Sequence, residues 1–162
     1  MTMDVGDQLP WLQNVIDDSG RPLNWRDTRR NRVVFFTHPG ECAACTSYAC
    51  DLMELRARLA TWDGDVWLVG RAADTSSPAA EDVVRITGQA DHRLRTRCDL
   101  SSTDAWVAVA DRWGQIWQTA MADEHHTLVD PADVIETTRF IAIQCPECET
   151  LDQPAADWSA VR

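Results

Sequence analysis

The sequence has no lysine. All 15 of its basic residues are arginine, set against 26 acidic ones, for a formal net charge of −11. Without lysine there is no Schiff-base chemistry and no phosphate-binding lysine. The arginine bias itself reads as genome composition or salt adaptation rather than as function. An acidic chain is repelled by phosphate backbones, so nucleic acid is not expected as a partner. No apolar run approaches the length of a bilayer span; the longest, such as residues 33–36, are strand-sized, and no membrane partner is expected. The opening Met1-Thr-Met-Asp-Val-Gly6 lacks the basic region and apolar run of a secretory signal, so a cytoplasmic location is expected. Internal repeats and low-complexity segments are also missing.

What is present suits one globular unit: 162 residues, 44% of them hydrophobic. We expect a single domain over residues 1–150 and a loose tail over 151–162. Gly6, Pro10, the 17–20 stretch Asp-Asp-Ser-Gly and Pro22 punctuate the first 30 residues with turns. Arg32-Val-Val-Phe-Phe-Thr37 is a short β-branched and aromatic run, which predicts a buried strand stopped by His38-Pro39-Gly40-Glu41. From 42 to about 61, Cys45, Tyr48, Leu52, Leu55, Leu59 and Trp62 recur at spacings of three and four, which predicts a helix. On that helix Cys45 faces the core, Cys42 sits at the first turn and Cys50 points to solvent. Asp65-Val-Trp-Leu-Val-Gly70 predicts a second buried strand, and residues 79–87 a second helix. Arg93, Arg95 and Arg97 alternate, as on the exposed face of a strand paired with nearby acids. Residues 105–110 and 115–120 flank Asp111-Arg-Trp-Gly114 and predict a hairpin. Asp130 and Pro131 predict the N-cap and first position of a helix ending near 144, before Pro146. The alternating first half implies right-handed crossovers and parallel strands, and the hairpin adds antiparallel ones: an α/β fold around a mixed sheet.

Six cysteines placed at random would give about 0.2 pairs at i, i+3. This chain has two, Cys42/Cys45 and Cys145/Cys148. Only a thiolate attacks disulfides or peroxides, and a free thiol with a pKa of roughly 8.5 is little ionised at neutral pH. The unpaired N–H groups and dipole at a helix start favour the anion. Cys42 has that position, and Cys45, one turn on, is placed to resolve a mixed disulfide. His38, four residues before Cys42, is a candidate proton acceptor or, when protonated, a stabiliser of the thiolate. Glu41 acts in the opposite sense. Cys98 reads as a buried structural thiol, or else as a third redox partner.

These features together resemble the thioredoxin superfamily, and within it the peroxiredoxin-like branch of alkyl hydroperoxide reductases and thiol-specific antioxidants. The resemblance rests on Gly6-Asp-Gln-Leu-Pro10, Asp18-Ser-Gly20, Val33-Val-Phe-Phe-Thr-His-Pro-Gly-Glu-Cys-Ala-Ala-Cys45 and Val107-Ala-Val-Ala-Asp-Arg-Trp-Gly114. It implies a thioredoxin-like three-layer α/β/α fold, parallel in its first half with a C-terminal hairpin. It also implies redox-active cysteines with no other cofactor. Two departures stand beside it. Peroxiredoxins carry threonine three residues before the attacking cysteine, where this chain has Pro39; Thr37 lies five before Cys42. Thioredoxins carry a cis-proline before the hairpin, where this chain has Ser101-Ser-Thr-Asp104.

The expected function is thiol–disulfide oxidoreduction, with Cys42, Cys45 and His38 as the catalytic residues. The substrate would be a protein disulfide or a small peroxide, and an external thiol reductant would restore the dithiol. Peroxide reduction at Cys42 is one alternative; a zinc-binding or degenerate interaction module is another. In this fold the last helix runs away from the first cysteine pair, and about 14 residues at 1.5 Å each put its end roughly 20 Å from Cys42. The two pairs should therefore not share one zinc ion within a monomer. Cys145 and Cys148 are left as a local disulfide, a second redox pair or a zinc half-site, to which His125 and His126 could add nitrogen ligands.

Overall fold

The computed structural model describes residues 3–10, 20, 30–38, 40, 42–70 and 83–144. Most of the early turns, Pro39, Glu41, Cys145, Cys148 and the tail lie outside the described residues. Among the described residues eight elements follow in order: β1 (Asn31–Phe36), α1 (Ala43–Ala60), β2 (Gly64–Val69), β3 (Val83–Ile86), α2 (Gly88–Arg97), β4 (Trp106–Ala110), β5 (Ile116–Met121) and α3 (Pro131–Ile143). They form one five-stranded sheet in the order β3-β2-β1-β4-β5. β1, β2 and β3 pair in parallel, whereas β4 runs antiparallel to both β1 and β5.

The central strands are buried on both faces, and their alternation sorts side chains into two cores. Val33, Phe35, Val66, Leu68, Val107 and Val109 point to one side, where they meet Cys45, Tyr48, Ala49 and Leu52 of α1 and Val134, Ile135 and Ile141 of α3. Val34, Phe36, Trp67, Val69, Trp106 and Ala108 point to the other, against Leu94 and Cys98 of α2. The architecture is thus the expected three-layer α/β/α sandwich around a mixed sheet. Among the described residues, no helix is long and apolar enough to cross a membrane.

Two expectations are corrected. Residues 83–86 of the expected second helix are strand β3, and the Arg93–Arg97 stretch is not a strand but part of α2. The arginines alternate at a period of two, yet the apolar residues decide the element: Ala90, Leu94 and Cys98 recur every fourth position and pack on one core. Val83, Val84 and Ile86 are β-branched and line up beside β2, so burial in a parallel sheet sets their conformation.

The hairpin is closed by a single carboxylate. Asp111 Oδ1 accepts from the backbone N–H of Trp113 at 2.8 Å and of Gln115 at 2.9 Å, and Oδ2 accepts from the Trp117 indole at 3.2 Å. Gly114 takes φ +90° in this turn, a left-handed conformation that glycine tolerates at little cost. Residues 6–9 lie along the start of β5, with Gly6 N–H donating to Ile116 O and Leu9 N–H to Gly114 O, each at 2.8 Å. At the other end of the chain, Asp130 accepts from Ala132 N–H at 2.8 Å and caps α3, with proline in its first turn as expected.

Replacing Asp111 by Ala strands two backbone donors and an indole N–H. We expect a loss of about 1–3 kcal/mol, measured as a lower urea midpoint with an unchanged slope. A midpoint equal to the parent's would contradict the role given to this carboxylate.

Candidate active site

The site forms where β1 gives way to α1. β1 ends at Phe36, Thr37 N–H still donates to Val69 O at 2.9 Å, and α1 starts at Ala43. Cys42 is the N-cap residue, with extended backbone, and its carbonyl accepts from both the N–H and the hydroxyl of Thr46. Its side chain makes no capping hydrogen bond and is half-buried. Cys45 is buried, packed among Phe35, Tyr48 and Leu52 in the core beneath. Burial explains the asymmetry between the thiols. It pushes the Cys45 thiol up to about 11, with the neighbouring Cys42 adding to the rise and the His38 N–H and Arg95 opposing it.

His38, Cys42 and Cys45 come together: one ligand-type atom from each lies within 4.8 Å of the others. His38 bears on Cys45 rather than on Cys42. Its backbone N–H donates to Cys45 Sγ at 3.3 Å, and its Nδ1 lies 3.1 Å from the same sulfur. The imidazole is held neutral more firmly than a free one, first by burial and then by the nearby His126 and Arg95, against an opposing pull from Asp104.

Two residues of the site were not foreseen in these roles. His126 stands on the turn after β5, and its Nδ1 is 3.9 Å from Cys42 Sγ and 3.3 Å from His38 Nδ1. The two imidazoles meet edge to face, with centroids 4.5 Å apart. His125 beside it is exposed, with its ring 3.7 Å from Glu124. The second is Arg95, which is 5% exposed rather than on an open face. Its Nε binds Asp91 Oδ1 at 2.7 Å, its Nη1 donates to Asp104 O at 2.8 Å, and its Nη2 donates to Thr37 O. The guanidinium also stacks 5.4 Å from the Phe36 ring. Arg95 thereby joins α2, the end of β1 and the loop before β4. The chain leaves room for it at Gly70, where φ is +110° and a Cβ would collide with Thr37 Oγ1.

The other two described cysteines fall elsewhere. Cys50 is exposed on α1, as its place on the helix wheel predicts. Cys98 caps the C-terminus of α2 in the core on the opposite side of the sheet from Cys45, and burial pushes its thiol up to about 12. With the sheet between them, Cys98 and Cys45 do not meet.

No protein-family model and no curated protein matches this sequence. Solved structures do match in fold. Peroxidoxin BcpB from Mycobacterium tuberculosis superposes with a TM-score of 0.67 at 17% identity, over 86% of this chain and 98% of that one. AhpC from the same organism gives 0.64 at 15% identity, over 94% and 99%. A thiol:disulfide interchange protein, DsbE, from Chlorobium tepidum gives 0.61 at 16% identity, over 87% and 99%. The architecture is thioredoxin-like. More particularly, it is the fold shared by these three solved structures.

Arg95→Ala removes the donors that hold Thr37 O and Asp104 O and leaves Asp91 without its partner. The expected cost is about 3 kcal/mol or more in chemical denaturation, the range for breaking a buried charged contact. A change within about 0.5 kcal/mol, as at an ordinary surface site, would contradict the clamp.

Proposed function

We propose that the chain is a thiol–disulfide oxidoreductase in which Cys42 is the nucleophile and Cys45 the resolving thiol. The observation that carries this reading is the pairing of a half-exposed sulfur at the head of a helix with a buried one in a single cluster. The Cys42 thiolate attacks one sulfur of a substrate disulfide. The substrate S–S bond breaks, and the departing thiolate takes a proton from solvent. Cys45 then gives up its proton, with His38 Nδ1 as acceptor at 3.1 Å. Its thiolate attacks Cys42 Sγ, the mixed disulfide breaks and the second substrate thiolate leaves. Two electrons have passed from the dithiol to the substrate, and an external thiol reductant restores the Cys42–Cys45 pair. The electrostatics support this order of steps, beside the burial that raises Cys45 most. A charged Cys42 raises the Cys45 thiol, and that contribution vanishes once Cys42 is tied up in the mixed disulfide.

The second reading is peroxide reduction, favoured by the likeness in fold to Peroxidoxin BcpB and AhpC. Cys42 would attack the terminal oxygen of a hydroperoxide, the O–O bond would break and release an alcohol or water, and Cys45 would condense with the resulting sulfenic acid to a disulfide and water. Peroxide consumption coupled to a thiol reductant separates the two readings.

The direct test uses the reduced chain and a small disulfide that releases a coloured thiolate. Cys42→Ser should slow the release by about 100-fold or more. Cys45→Ser should still react but accumulate a mixed disulfide, seen as a mass adduct on Cys42. Release at the parental rate from Cys42→Ser would refute the assignment.

A further inference from the structure

The same corner of the fold carries more nitrogen than a dithiol needs. Three donor atoms cluster there, Cys42 Sγ, Cys45 Sγ and His38 Nδ1, and a fourth, His126 Nδ1, stands against the Cys42 and His38 side of the cluster. A tetrahedral zinc ion, with bonds of about 2.3 Å to sulfur and about 2.0–2.1 Å to nitrogen, sets its ligands roughly 3.3 Å apart for N···N and roughly 3.5 Å for N···S. The two Nδ1 atoms are 3.3 Å apart. The His38 Nδ1 to Cys45 Sγ and His126 Nδ1 to Cys42 Sγ separations are 3.1 and 3.9 Å, on either side of the ideal edge. Both sulfurs and the His38 nitrogen lie within 4.8 Å of one another.

Hydrogen bonding alone fits this cluster poorly. His38 Nδ1 holds one proton or one lone pair, yet it has both Cys45 Sγ and His126 Nδ1 at hydrogen-bond distance. A cation held by Cys42, Cys45 and His38 would satisfy these donors, and a small inward shift of His126 from beside Cys42 and His38 would make it the fourth.

The turn that presents His126 is built for it. Asp123 Oδ1 accepts from His125 N–H at 2.9 Å and from Thr127 N–H at 2.8 Å, and Asp123 O accepts from His126 N–H at 3.0 Å. His126 is held at φ +58°, a left-handed conformation that few non-glycine residues adopt. This stapled turn carries the imidazole against His38.

We propose that His38, Cys42, Cys45 and His126 form a zinc site of two thiolates and two imidazoles in the reduced protein. Two thiolates and two neutral imidazoles in tetrahedral array suit zinc by both softness and geometry. Two thiolates balance the charge of the ion. With four protein ligands the site is closed, so zinc there holds the β1–α1 joint to the turn after β5 and shields the dithiol rather than activating water. Disulfide formation consumes both sulfur ligands, so metal and disulfide exclude each other. The site needs only reduced sulfurs, and it stands whether or not the chain turns over disulfides.

The test uses the full-length chain carrying Cys145→Ser and Cys148→Ser, so that the second cysteine pair cannot answer for the first. Reduced protein is titrated with zinc chloride against a chromophoric chelator, and cobalt(II) is substituted for its visible spectrum. One equivalent of zinc should bind, and cobalt should give tetrahedral d–d bands with thiolate charge transfer. Cys45→Ser and His126→Asn should each weaken binding by more than about tenfold. Asparagine tolerates the left-handed turn, so that variant removes the imidazole without breaking the loop. Its circular dichroism should match the parent's. The oxidised protein should bind no zinc. Absence of stoichiometric zinc in this background, uptake only when Cys145 and Cys148 are present, or binding that His126→Asn leaves unchanged would each overturn the proposal. The coloured-disulfide assay reads the dithiol separately, so failure of one reading is distinguishable from failure of the other.

Discussion

The guanidinium of Arg95 holds the end of β1 in place, and the site depends on where β1 ends. Thr37 O is bound by Arg95, and the next residue is His38, whose N–H and ring both meet Cys45. A buried arginine is costly unless its donors are satisfied, and this one spends them on Asp91, Asp104 O and Thr37 O. Three segments far apart in sequence are thereby fixed to one planar group. Gly70 completes the arrangement, since any side chain there would strike Thr37.

From that anchor the differences between the thiols follow without special pleading. The chain turns from β1 into α1 so that Cys42 caps the helix at the surface, while Cys45 comes round one turn later into the apolar core. Two cysteines three residues apart thus acquire unlike environments, one open to a partner and one withheld from water. The burial that raises the Cys45 thiol also packs α1 onto the sheet through Tyr48, Ala49 and Leu52, so the thiol's protonation and the fold draw on the same contacts.

Much of this was legible in the sequence, and the reasons are local. The apolar run of β1 and the three-four spacing of α1 announce themselves within their own residues. So do the Asp111 to Gly114 turn and the Asp130-Pro131 helix start, and each formed as its pattern implied. The stretch from 79 to 97 misled because its arginines alternate while its few apolar residues repeat every four. Only the core tells which period governs. Arg95 looked like one of three exposed cations, and nothing nearby in sequence reveals that Thr37, 58 residues earlier, needs its donor. His126 lies 84 residues from Cys42. The one local hint was Asp123, whose carboxylate can staple a tight turn three residues wide, but a turn does not disclose what it faces.

The central claim is that Cys42 and Cys45 are one redox pair. Disulfide mapping by mass spectrometry tests it most directly, on the reduced full chain before and after mild peroxide treatment. The account predicts that a Cys42–Cys45 bond forms and reverts with a thiol reductant, while Cys98, sealed in the opposite core, stays reduced throughout. If Cys42 remains a thiol, or pairs with Cys50 or Cys98 in preference to Cys45, the account is contradicted.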